Sequence, residues 1–193
     1  AETHRGLSMD PESDSDATPR RYNRRNAVKW FGIAISCWLA IILLIQVLAP
    51  NELIEQMPEE CPADSQNCSR LSYDDTDFRM QEYDAMLFNA TIEEVYESIL
   101  SWIDEQYLMD EYHTVNNSQQ DGGLFIHAIQ RTPILFFPDD LTIEVICVDG
   151  MAGVAAQSQS RLGIGDLGVN PERLDEFYEH MMHLDWSGSS CDE

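Results

Sequence analysis

The sequence predicts a small, mostly antiparallel, two-layer α+β domain behind a single membrane-crossing helix. Three observations predict it. Residues 30–49 form one uncharged apolar run. Two stretches, near 91–108 and 170–183, repeat apolar residues at helical spacing. Between them lie β-branched runs broken by a hairpin turn. A chain of 193 residues has room for one such domain plus an anchor.

Residues 1–27 are rich in Ser, Asp, Glu, Arg and Pro and read as a flexible cytoplasmic tail. Residues 28–49 read as the transmembrane helix. Its apolar run is long enough to cross the roughly 30 Å hydrocarbon core at about 1.5 Å per residue. A cleaved signal peptide fits less well, because the run exceeds a signal core and no small-x-small site precedes Pro50. Arg20, Arg21, Arg24, Arg25 and Lys29 precede the helix, and the next basic residue is Arg70. Positive charge therefore keeps the N-terminus cytoplasmic and exports the rest, to the periplasm or its equivalent. A twin-arginine export signal would need a context that does not follow these arginines.

Residues 50–80 read as a polar linker carrying a cysteine pair, residues 81–186 as the acidic α+β domain, and 187–193 as a C-terminal tail. Within the domain, 81–89 is a candidate first strand. Thr91 and Glu94 form a capping box for a helix to about 108, with a stripe of Ile92, Val95, Tyr96, Ile99, Ile103 and Tyr107. Strands are expected over 122–132, 142–148 and 154–161, with a further apolar stretch over 133–140. Asp149-Gly150 suits a tight turn because both residues tolerate positive φ. Asn170 as cap and Pro171 at the first helical position open the last helix, whose stripe is Leu174, Phe177, Tyr178 and Met181. The expected order is β-α-β-β-β-β-α.

Net charge is −24, from 11 basic and 35 acidic side chains. Residues 1–29 hold six basic and five acidic groups, which leaves five against 30, a net of −25, for the remainder. No lysine occurs there, so general nucleic-acid binding is excluded for want of groups to neutralise phosphates. Dispersed acidity without lysine reads as a surface adapted to strong, halophilic salt; a basic partner is the alternative.

Cys61 and Cys68 flank a short polar loop in an exported, disulfide-permissive space and are expected to pair. Cys37 and Cys147 read as inert apolar residues, and Cys191 is left over. No standard zinc spacing occurs. Asn67, Asn89 and Asn116 match glycosylation sequons, which matter only in a eukaryotic secretory route. Gly163, Gly165 and Gly168 match G-x-G-x-x-G. A dinucleotide site would need a parallel βαβ unit and a helix starting among the glycines, so a tight strand-to-helix connection is the better reading. His180 and His183 share a helix face without a third ligand, so no metal and no cofactor is assigned. Arg161 and Arg173 are scarce cations, with Asp166 as the expected partner in a structural clasp. An anion site at Arg161 and the last helix N-terminus is the alternative.

The elements CPADSQNC, FFPDDLTIEV and SQSRLGIGDLGVNPERLDEF, taken together, resemble domain of unknown function family 1499, over roughly residues 61–183. The cysteine element is one residue longer here, and the acidity is a second departure. The resemblance implies a small exported or membrane-associated α+β domain and no particular reaction. It carries over Cys61, Asn67, Cys68, Asp139, Asp140, Ser160, Arg161, Gly163, Asp166, Gly168, Asn170 and Arg173.

No nucleophile–base pair stands out in the sequence. The expected role is a non-catalytic accessory subunit, with the lipid bilayer and other membrane-protein subunits as partners. The rival is a small-molecule or anion-binding protein, or an enzyme, with a pocket near Asp139, Asp140, Arg161 and Asp166.

Overall fold

A computed structural model describes residues 24–74, 76–117 and 123–191. The expected tail over 1–27 lies outside them apart from its last four residues, which are helical. The chain divides into two compact units, Ala1–Trp38 and Leu39–Glu193. Helix α1, Arg24–Leu48, runs through the boundary and has a mean hydropathy of 2.5 over its most apolar window. Most of its apolar side chains are exposed, as they would be against lipid, while Ile45 is buried. One N-terminal helix long and apolar enough to cross a membrane supports a membrane-anchored chain.

The second unit holds an antiparallel sheet. Its strands are β1 (Cys68–Leu71), β2 (Leu87–Phe88), β3 (Met109–Asn117), β4 (Gly123–Arg131), β5 (Pro138–Val148) and β6 (Met151–Ser160). The spatial order is β1-β6-β5-β4-β3, and β2 also pairs with β6. Helix α2, Ile92–Glu105, follows β2, and α3, Val169–Met182, follows β6. The fold class is as the sequence predicts: an open antiparallel sheet with two packed helices.

Several details differ. β1 lies inside the stretch read as a linker, and of residues 81–89 only Leu87–Phe88 is strand. The apolar stretch over 133–140 is a turn as far as Phe137 and joins β5 at Pro138, while β3 occupies residues that were assigned no element. Thr91 caps α2 by accepting from the Glu94 amide, but the Glu94 carboxylate accepts from Ser187 instead of closing the box. Tyr107 lies past the helix end and is exposed. Gly168, not Asn170, is the N-cap of α3; its φ of 89° is a left-handed value that glycine adopts without strain.

The pleat sends alternate residues of β5 to opposite faces. Leu141, Ile143 and Val145 meet Val95, Ile99 and Ile103 of α2 and Leu174, Phe177 and Met181 of α3 in one core. Each such side chain, fully buried, contributes about 1.5–3 kcal/mol. Asp149 (φ 51°) and Gly150 (φ 82°) make the expected hairpin turn between β5 and β6. The other face of the sheet buries Phe125, His127, Thr142, Ala155 and Gln157. Residues 50–58 cross it: the Ile54 amide donates to His127 Nδ1 at 3.4 Å, and Arg70 donates to the Pro58 carbonyl at 2.6 Å. The expected linker is thus a strap on the sheet.

Cys61 and Cys68 are bonded, as expected. Cys147 and Cys191 are bonded too, so neither is inert or left over. Residues 187–191 of the expected tail are accordingly tied down. The Gly188 amide donates to the Asn89 carbonyl, and Trp186 packs on Phe88 with ring centroids 4.8 Å apart.

Candidate functional site

The residues singled out by sequence separate into three places. The first joins α3 to the helix face of the sheet. Asp139 and Ser160 are opposite one another on β5 and β6, and Ser158 lies two residues back on the same face. Asn170 is the second residue of α3, and its side chain points at them. Its amide donates to the Asn67 carbonyl at 2.9 Å and to Ser160 Oγ at 3.1 Å. Arg173, one turn further, donates to Asp139 at 2.9 Å, to Asn170 Oδ1 at 2.8 Å, and to Ser158 and Gln130. All of these groups except Asn67, Gln130 and Ser160 are buried. This is a closed polar network with its hydrogen-bonding capacity spent internally, and it leaves little for a ligand.

The second place is the connection from β6 to α3. Asp166 was expected to partner Arg161 or Arg173. It pairs instead with Arg79, through two bonds of 2.9 and 3.1 Å, and accepts from the Gly168 amide at 2.9 Å. Burial alone would raise the Asp166 carboxyl, but the bonds from Arg79 and Gly168 outweigh it and lower it. Gly163 adopts φ 106°, and its carbonyl accepts from Asn67 at 3.0 Å. The sheet beneath is antiparallel, and the helix starts after the glycines. A dinucleotide site is therefore excluded on geometry.

The third place is the strap-covered face. Arg161 follows the last residue of β6, and its amide donates to the Pro138 carbonyl. Asp140 is then its diagonal neighbour on the same face of the sheet. Arg161 grips Asp140 through two bonds, Nε to Oδ2 at 2.9 Å and a terminal nitrogen to Oδ1 at 2.7 Å. Its other terminal nitrogen donates to the Pro50 carbonyl at 2.9 Å and to Asn51 at 3.3 Å. Sequence reasoning gave His127 only a surface or strand-face role and missed its contact with Asp140. His127 is 0% exposed, and its Nε2 lies 2.6 Å from Asp140 Oδ1. Since Nδ1 accepts from Ile54, a neutral ring carries its proton on Nε2 and donates it to Asp140. The one available signal was period-2 alternation, which puts His127 and Asp140 on one face.

Around this group is a cavity of about 220 Å³, walled by Asp140, Thr142, Gln157, Gln159, Arg161 and Glu52 of the strap. A second hollow of about 490 Å³ lies along the same strap, against Arg70, Tyr73, Asp74 and Glu144. Burial pushes Glu144 up and lowers Arg70. His180 and His183 lie at the end of α3, where His183 Nδ1 is 2.6 Å from the Glu179 carbonyl oxygen. Among the described residues no group of three His, Cys, Asp or Glu side chains converges.

The charge on Asp140 has a measurable signature. Burial would raise its carboxyl, yet the bonds from His127 and Arg161 hold it below its ordinary value of 3.8. Stability from a lowered carboxyl is fully present above its unfolded pKa and is lost as pH falls through the folded value. The difference in melting temperature between the parent and Asp140→Asn should therefore stay constant above about pH 5 and shrink below about pH 4. The raised Glu144 works with the opposite sign in both proteins, which is why the difference is the quantity to follow. A gap that does not narrow in acid would show that Asp140 does not hold its charge.

A family model described as Protein of unknown function (DUF1499) matches residues 56–181. No curated protein and no solved structure matches the chain.

Proposed function

The chain belongs to the DUF1499 family of proteins of unknown function, and from the geometry of this member we propose that it is a membrane-anchored domain that binds a small polar molecule under its strap. The observation that carries the reading is the 220 Å³ cavity with Asp140, Gln157, Gln159 and Thr142 on its sheet wall and the strap as its roof. The lining offers both donors and acceptors, which suits a neutral or cationic polar ligand. Arg161 has four of its five N–H bonds directed at Asp140, Pro50 and Asn51, so an anion would have to displace an internal partner. The positive charge of Arg24, Arg25 and Lys29 in the first turns of α1 supports a cytoplasmic N-terminus, and two disulfides support an oxidising compartment for the domain.

The test starts from full-length protein extracted gently from its own membrane. Native mass spectrometry should show a retained small molecule. Gln159→Tyr, which fills the cavity from β6, should remove that molecule without lowering the melting temperature. If stoichiometric membrane proteins come with the chain and no small molecule is retained by parent or variant, the accessory-subunit reading replaces this one.

A further inference from the structure

The strands have two ends. One carries the Asp149-Gly150 hairpin. The other collects the turn from β4 to β5, residues 132–137, and the loop from β6 to α3, residues 161–168. This second end also meets the point where the chain leaves α1. Pro50 lies two residues beyond Leu48, so it is within about 7 Å of the helix end. Its carbonyl is bonded to Arg161, and within the same unit Gln46 donates to the Phe136 carbonyl at 2.7 Å.

At this end two large apolar side chains face outward. Ile164 is 92% exposed and Leu167 is 103% exposed. The loop that carries them is fastened on both sides, by Asp166 to Arg79 and Gln66, and by Gly163 to Asn67. It is therefore a fixed presentation, not a slack connection. Leu167 even takes a left-handed φ of 55°, which a branched-chain residue adopts at a cost. In an exported part with 30 acids, residues 162–168 contain one charge, Asp166, and it is buried and paired. Beside the loop is a mainly apolar hollow of about 220 Å³, bordered by Phe137, Leu162 and Val169.

We infer that the loop at residues 162–168 docks on the bilayer that α1 crosses, with Ile164 and Leu167 at the boundary of headgroups and acyl chains. The occupant follows from continuity: Arg161, the residue that leads into the loop, is bonded to Pro50 and Asn51 just past the membrane helix, and the loop's surface is apolar and locally uncharged. Interfacial binding of this kind scales with buried apolar area. The anchor makes the docking intramolecular, so two side chains suffice where they would not hold a free protein.

The test uses full-length protein, one copy per phosphatidylcholine nanodisc, in a Cys37→Ser background with both disulfides intact. Ile164→Cys, Leu167→Cys and, as a control on the far end of α2, Glu93→Cys are each labelled with an environment-sensitive fluorophore. Labels at 164 and 167 should emit to the blue of the label at 93, and lipids brominated high on the acyl chain should quench them about twofold or more. Water-like emission at 164 and 167, matching 93, would overturn the inference. So would a blue shift without lipid quenching, because that is the mark of a protein surface or a second copy on the loop.

Discussion

Replacing Arg173 by alanine is expected to cost about 3–5 kcal/mol, the usual penalty for leaving a buried partner charge unmatched. Asp139 would keep its carboxylate in the core without the guanidinium 2.9 Å away, and Gln130, Ser158 and Asn170 would each lose a donor. For a domain of this size the melting temperature should fall on the order of 10–20 °C. Asp139→Asn should also destabilise, and the double variant should cost less than the sum, since the second change removes a charge already orphaned by the first. Thermal unfolding of the full chain in one detergent, over the four proteins of the cycle, measures this. Single variants that melt like the parent would mean that α3 is held by its apolar stripe alone.

Opening the Cys147–Cys191 bond by a paired change to serine should cost about 4 kcal/mol on the chain-entropy account, because the bond closes a loop of 44 residues. Opening Cys61–Cys68, with a separation of 7, should cost about 2–3 kcal/mol. The larger loss also frees residues 187–191 from Glu94 and Asn89 and uncovers Phe88 under Trp186. Urea unfolding of each paired variant, beside the parent without reductant, gives the ranking. Equal costs, or a greater cost at Cys61–Cys68, would place the stabilising effect in local packing and not in restraint of the unfolded chain.

What was legible in the sequence was whatever rests on apolar period. The membrane helix, the stripes of α2 and α3 and the β5–β6 hairpin could be read because one face of each is continuously apolar. β3 escaped because MDEYHTVNN is mostly polar, and its few apolar residues, Met109, Tyr112 and Val115, do not alternate with period 2. It is an edge strand, where charged residues are tolerated and blunt further pairing. β1 escaped because CSRL is short and buried partly through polar contacts. The candidate residues could be singled out in the sequence, but not their partners. Arg161 and Asp166 are five apart in sequence, yet the antiparallel register places Arg161 diagonally across from Asp140. Asp166 is met by Arg79, an arginine from an irregular segment that no periodicity locates. Asn170 looked like a cap because Asn before Pro usually is one. The left-handed Gly168 moved the helix start forward and released its side chain into the core.

The roof of the cavity and the membrane anchor are one uninterrupted piece of chain. Any pull that lifts the domain from the bilayer runs along residues 49–58 before it reaches the sheet. Past the Gln46–Phe136 bond, the first bonds it loads on the strap are those from Arg161 to Pro50 and Asn51, and the next is the Ile54 contact with His127. Tension would peel the strap from its membrane end and unroof Asp140 first, while Arg70 still held Pro58 at the far side. The leash that sets the domain's reach is thus also a lever on its cavity.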